Sequence, residues 1–334
     1  MVDEHPFAKY VRILARGRSF IRDFDAEEAE SSFDMVMRRE VLPEQLGAYL
    51  MLLRLKEESP TEIAGFVRAV RRNLDIPSSR LAVDLDWSSY AGKRRQLPYF
   101  ILAAMALANS GVRIFMHGVD GHTPGRLYTR TALKAIGVPV TSSLAEAADA
   151  IQVSGFAYIS LPDISTVLHE IMELKPVLGL RSPIHTIARM INPFEAPALL
   201  QGVFHPGYEN IHSGAAMLLG QPRCGVFRGE GGEIERRPNK AANLVLVADG
   251  AVSEEHWPAL LPEPRLARDE EMRVERLIDI WQDEEIDSYA DAAITGTIAL
   301  ALRVMGHADD PNGAQVMARE VWEARDRAIV GAAA

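Results

Sequence analysis

The sequence predicts an α/β fold with a helical domain: a small N-terminal α domain hinged to a larger, mainly parallel α/β domain. Three observations carry this. The first eighty residues read as helices, with no strand pattern. From about residue 81, short apolar runs alternate with helical stretches, which implies a mainly parallel sheet with helices on its faces. Residues 160–191 return to helical patterns, as an insertion rejoining the first unit would. The expected boundaries are a helical domain over 1–77, joined by an insertion over 160–192, and an α/β domain over 80–158 and 195–330.

Each element has its own signal. Asp25-Ala-Glu-Glu28 has the form of a capping box ahead of Phe33, Val36 and Met37. EQLGAYLMLLRL places Leu46, Tyr49, Leu50 and Leu53 on one stripe. Ser59-Pro60-Thr61-Glu62 opens a helix with Ile63, Phe66, Val67 and Val70 on one face. Ile76-Pro77-Ser78-Ser79 reads as a linker. LAVDLD (81–86), VRIFMH (112–117) and AIQVSG (150–155) read as strands, and LPYFILAAMALANSG as a helix. Ser143-x-x-Glu146 caps a short helix. Pro176 and Pro183 break the helices of 160–191, and Asn192-Pro193 and Ala196-Pro197 mark a second crossing between the units. CGVFRG and NLVLVADG are strand-like, and 265–306 reads as two helices covering the sheet.

Composition narrows the function classes. The chain is 48% hydrophobic and 25% charged, near globular averages. A single cysteine, Cys224, rules out an internal disulfide framework. No signal peptide or membrane-spanning apolar run is visible, so a soluble, cytoplasmic protein is expected. The net charge of −10 argues against a surface that is basic throughout. Cations nevertheless cluster at Arg68, Arg71 and Arg72; at Lys93 to Arg95; at Arg126, Arg130 and Lys134; and at Arg236, Arg237 and Lys240. Arg126, Arg130 and Lys134, spaced four apart, would share a face if helical.

DWSSYAGKRRQ (86–96) lies between a strand and a helix, a common place to hold phosphate. It is not a P-loop: Trp87 holds the first glycine position and Arg94 replaces Ser/Thr. No G-x-G-x-x-G follows a strand. His117-Gly118 ends a strand, where α/β folds place their ligand crevice. GEGGEIE groups Glu230, Glu233 and Glu235, either as an acidic hairpin tip or as oxygen ligands suited to magnesium.

Residues 24–71, GVRIFMHG (111–118), ALKAIGV (132–138), LGLRSPIHTIARMINP (178–193), GVFHP (202–206) and VFRGEGGE (226–233) together resemble the anthranilate phosphoribosyltransferase family, over about 7–305. That glycosyltransferase-like class also includes pyrimidine nucleoside phosphorylases. The resemblance implies a small α domain hinged to an α/β domain. It also implies transfer from phosphoribosyl pyrophosphate with Mg2+, and homodimers formed through the N-terminal helices. The family's GTGGD loop falls on Ser88-Ser89-Tyr90-Ala91-Gly92, without its glycines and acid. The N-x-S-T helix start falls on Pro98-Tyr99-Phe100-Ile101, and K-H-G-N has become Met116-His117-Gly118-Val119. GHTPGR replaces a serine-rich loop. The Asp-Glu magnesium pair maps near Glu233 and Glu235, and Arg181 and Asn192 match the substrate side of the cleft. The pattern resembles a divergent branch associated with nucleic-acid binding.

The candidate phosphate- or polyanion-binding residues are therefore Ser88, Ser89, Gly92, Lys93, Arg94, Arg95, His117, Gly118, Thr123 and Arg126. Tyr90 closes the glycine-loop approach, while Lys93, Arg94 and Arg95 offer charge directly. As exposed cations they would contribute little to folding. One reading is a phosphoribosyltransferase-like enzyme with an unusual acceptor. Another is a non-catalytic homologue binding nucleic acid or another polyanion through the basic loop. A third is a dimeric scaffold with an empty cleft. A homodimer is also expected because the apolar faces at 46–53 and 63–70 exceed what a small helical unit readily hides.

Overall fold

The structure, a computed structural model, describes residues 3–17, 20–77, 82–121, 123–262, 269 and 271–328. An N-terminal helical bundle comprises α1 (Ala8–Ala15), α2 (Ala26–Met37), α3 (Pro43–Lys56) and α4 (Pro60–Arg72). Then follow β1 (Leu85–Ser89), α5 (Tyr99–Asn109), β2 (Ile114–Gly118), α6 (Thr129–Ala135), α7 (Leu144–Ser154) and β3 (Phe156–Ser160). The insertion holds α8 (Leu161–Ile164), α9 (Thr166–Met172), α10 (Lys175–Leu178) and α11 (Ile184–Arg189). The chain continues through β4 (Ala198–Val203), α12 (Tyr208–Leu218), β5 (Arg223–Arg228), β6 (Ala242–Ala248) and β7 (Ala251–Trp257). It closes with α13 (Arg276–Trp281), α14 (Ser288–Met305) and α15 (Pro311–Glu323).

The seven strands form one sheet in the order β3-β2-β1-β4-β5-β6-β7. The first five are parallel, and β6 and β7 run antiparallel at one edge. One face packs on α5 and α14, where Trp87, Phe100, Ile298 and Phe227 share a core. The other face is continuous with the helical bundle: Phe33, Tyr49 and Phe66 belong to the same cluster as Phe115, Ile159, Leu199 and Val226.

Both capping boxes form as the sequence implies: Asp25 with Glu28, and Ser59 with Glu62. The reading of AIQVSG as a strand is corrected. Ser143 caps α7, which runs to Ser154 and ends on left-handed Gly155. Val153 is exposed, so the segment has no second buried face, and the strand is the fully buried FAYIS that follows. The first strand starts later than LAVDLD suggests, so Asp86–Ser89 belong to the sheet rather than the loop. Leu81 lies outside the described residues, as do Ser78 and Ser79 of the linker and the start of the 265–306 span. Pro176 and Pro183 divide the insertion into short helices. Among the described residues no helix is long and apolar enough to cross a membrane.

Most of the apolar faces of α3 and α4 are covered within the chain, with Leu46 half-buried. Tyr49, Leu50, Leu53, Ile63, Phe66, Val67 and Val70 are all buried. The helical unit hides them against itself, the insertion and the sheet.

Candidate anion-binding cleft

The loop after β1 already meets an anion, one supplied by the protein. Glu233 is fully buried, and its Oε1 accepts from the Ala91 and Gly92 backbone N–H groups, each at 2.5 Å. Its Oε2 accepts from Ser89 Oγ at 2.9 Å, and that hydroxyl lies 2.6 Å from Thr129 Oγ1. Two backbone amides and a hydroxyl converging on one anion are the donors a phosphate would take. Burial pushes the Glu233 carboxyl upward in pKa, opposed by these donors and by Arg189.

A second buried carboxylate fixes the next residue. Lys93 Nζ pairs with Glu235 Oε1, both side chains almost wholly buried. Glu235 Oε2 accepts from Phe100 N at the start of α5, at 2.9 Å. Lys93 N and O also bridge to Leu127, and Arg126 Nη1 donates to Ala91 O at 2.7 Å. Lys93 is thus not part of a solvated KRR patch, and GEGGEIE is not an exposed acidic tip. Arg94 and Arg95 remain exposed.

His117 does not face a crevice. It is fully buried in β2, with Nδ1 2.8 Å from Tyr90 Oη and Nε2 3.2 Å from Asp86 Oδ1. It fixes Tyr90, whose ring lies under the Arg189 guanidinium. Gly118 seats β2 against β1: a Cβ there would lie 2.1 Å from Ser89 O. Ser88 is buried in the sheet. Thr123 is half-buried beside Tyr128. Asn192 is buried and holds the turn into β4, accepting from Ala196 N at 2.8 Å and donating to Gln221 Oε1 at 3.0 Å. These contacts correct the reading of Ser88, His117, Gly118 and Asn192 as ligand-facing groups.

Arg126, Arg130 and Lys134 do not share a helix face, because Arg126 lies in the loop before α6 and Arg130 turns to Asp120. Arg236 stacks on Trp257, and Arg68 and Arg72 pair with Glu30. What remains is a groove of about 760 Å³ lined by Arg94, Arg95, Arg126, Arg228, Arg237 and Lys240, with Glu209, Glu230 and Glu254 as its carboxylates. Arg237 is paired with Glu230 at 3.1 Å. An adjoining cavity of about 230 Å³, against the helical unit, carries Arg126, Arg181, Arg189, His185, Tyr208 and Glu58. Burial lowers the Arg181 and Arg189 pKa values, and for Arg181 the neighbouring Arg126 adds to this.

The residues present do not fit magnesium as arranged. Both Glu233 oxygens are satisfied by the loop, and Glu235 faces an ammonium and an amide. Among the described residues no three His, Cys, Asp or Glu side chains converge as a metal site.

The sequence reading missed Arg189, Arg228, Glu58 and Phe204 as lining residues. Arg228 ends β5 and Phe204 follows β4, the position where α/β crevices form. Nothing local distinguishes Glu58.

Comparison with known proteins places the fold. Residues 8–74 match the helical bundle domain of a glycosyl transferase family. The chain is 26% identical over 231 residues to an anthranilate phosphoribosyltransferase of Oleidesulfovibrio alaskensis, covering 68% of this chain and 69% of that one. It is also 26% identical over 245 residues to the uncharacterized protein YbiB of Escherichia coli, covering 72% of this chain and 76% of that one. The crystal structure of anthranilate phosphoribosyltransferase from Thermus thermophilus superposes with a TM-score of 0.77 at 22% identity, covering 96% of this chain and 94% of that one. The Saccharomyces cerevisiae enzyme in complex with PRPP and Mg gives 0.75 at 13% identity, covering 95% and 93%. The chain thus resembles the anthranilate phosphoribosyltransferase family and shares its fold.

Proposed function

We propose that this chain is a non-catalytic relative of the phosphoribosyltransferases that binds a polyanion, nucleic acid foremost, in its basic groove. One observation carries the reading: Glu233 takes the loop donors that a diphosphate would need. A diphosphate brought to this loop would meet a buried carboxylate instead of free N–H groups. The cations that remain available, Arg94, Arg95, Arg228 and Lys240, stand exposed along the groove. In a chain of net charge −10, binding must run through this local patch. Magnesium has no part in the reading.

Binding of a fluorescent single-stranded oligonucleotide and of heparin should weaken steeply with salt. Replacing Arg94 and Arg95 with alanine should flatten the oligonucleotide log–log slope by about 1.4. Equal slopes for variant and wild type would remove the groove from the binding site.

A second reading, phosphoribosyl transfer to an anionic acceptor, draws on Arg126, Arg181 and Arg189 around the smaller cavity. Calorimetric titration with phosphoribosyl pyrophosphate and magnesium separates the two. The first reading expects no heat of binding, and saturable binding would favour the second.

A further inference from the structure

The groove and the smaller cavity meet at one ring. Phe204, just past β4, lines both, together with Arg126 and Gly231. It is 60% exposed. Among the described aromatic side chains of Phe, Tyr and Trp only Phe20 and Phe204 are exposed, and Phe20 lines neither space. Phe204 also begins a row of rings: His205 lies 5.0 Å from it, and Tyr208 lies 6.3 Å from His205. On the groove side Arg94, Arg95 and Arg228 face the same space.

Resting on the polyanion reading above, we infer that Phe204 is a stacking platform for an unpaired base, so the groove takes single-stranded nucleic acid. A single strand offers a phosphate and an open aromatic face at every nucleotide. A duplex buries those faces in its own stack. Heparin has the charge without the faces. Cations tracking a backbone beside an exposed ring are the elements that sequence-tolerant single-strand binding requires. The groove cations meet the phosphates, Phe204 meets a base, and Arg126 stands beside both.

The test compares wild type, Phe204→Ala and Phe204→Trp on oligothymidylate, oligouridylate, a duplex of equal length, and heparin, each across a salt series. Phe204→Ala should lose about five- to one-hundred-fold in affinity for the single strands. Its salt slope should not change, because no phosphate contact is lost. Heparin binding should be unaltered and Phe204→Trp should bind as wild type. The two single-strand arms show which sugar is preferred, and the loss is required in whichever binds. The ring is exposed, so its removal should leave stability unchanged, and matched melting curves check this. Wild-type affinity of Phe204→Ala for single strands, or a duplex bound as tightly as they are, overturns the inference and leaves the basic groove standing. Wild type that binds neither oligonucleotide nor heparin overturns the polyanion reading and this inference with it.

Discussion

Neighbouring cations in one loop have opposite roles. Lys93 neutralises the buried Glu235, whereas Arg94 and Arg95 point to water. Removing one member of a buried ion pair strands the other charge, which costs about 3–5 kcal/mol. Lys93→Ala should therefore lower the unfolding free energy by about that amount, while Arg94→Ala and Arg95→Ala stay within about 0.5 kcal/mol. Urea denaturation of the three variants checks this, and equal stabilities would show the pair to be inert. The same argument corrects the expectation that the whole KRR cluster could be removed without effect. Glu58 offers a second residue-scale test. It is buried, its Oε2 has no hydrogen-bond partner, and burial raises its pKa above the ordinary 4.5, opposed by Arg54. A raised folded-state pKa means that the stabilising contribution is full below 4.5 and is lost as pH rises through the folded value. Glu58→Gln should then be more stable than wild type at mildly alkaline pH, with the difference closing towards pH 4.5. A difference in melting temperature that does not change with pH would contradict this.

At the scale of the element, α2 and α4 are joined by a contact that propensity alone would misjudge. Gly65 sits inside α4, where alanine would ordinarily add about 1 kcal/mol of helix stability. A Cβ there would lie 2.6 Å from Ala29 Cβ and 2.9 Å from Glu30 N. The backbone nitrogen cannot rotate away, and overpacking of this kind costs about 1–3 kcal/mol. Gly65→Ala should therefore be net destabilising, by up to about 2 kcal/mol, and a raised denaturation midpoint would show that α2 yields. Elements with a local chemical signature were legible in the sequence: the two capping boxes, the breaker prolines and the apolar helix α5. Elements whose signature depends on neighbours were not. β4 lies between β1 and β5, and its ALLQGV is too short to separate from a loop crossing by period. β7 follows Asp249-Gly250, a hairpin signal with φ of 53° and 73° at the two turn residues, yet its own residues give no strand pattern. Its sequence, AVSEEHW, is exposed along most of its length and has little apolar content to mark it. The site failed for the same reason. Residues 89–93 and 233–235 form one unit, yet they are joined only by folding, and sequence spacing cannot show that the loop's anion is internal.

For the whole molecule, the remaining question is assembly. Of the stripes that suggest a homodimer, all but the half-buried Leu46 are buried in their own chain, and further apolar side chains are exposed nearby. Leu42 at the start of α3 and Val177 in α10 are exposed, and α3 adjoins α10, with Gly47 facing Leu178. Beside them an apolar hollow of about 240 Å³ is lined by Val36, Val41, Pro43, Leu46, Ile171 and Leu174. The bundle and the insertion thus both present exposed apolar side chains, and residues of both line the hollow together with Arg39 and Glu170. A stable dimer needs about 800 Å² from each partner, with apolar area contributing about 25 cal/mol per Å². The surface can supply the centre of such an interface, with the exposed Arg39–Glu170 ion pair at its rim. Light scattering should give twice the chain mass at micromolar concentration, and Leu42→Asp combined with Val177→Asp should give single chains. None of these residues lines the basic groove. The dissociated variant should therefore keep the wild-type salt slope for each chain, and its apparent affinity for a long strand should fall because two linked grooves become one. A wild-type chain that is monomeric at these concentrations would remove the dimer and the avidity together.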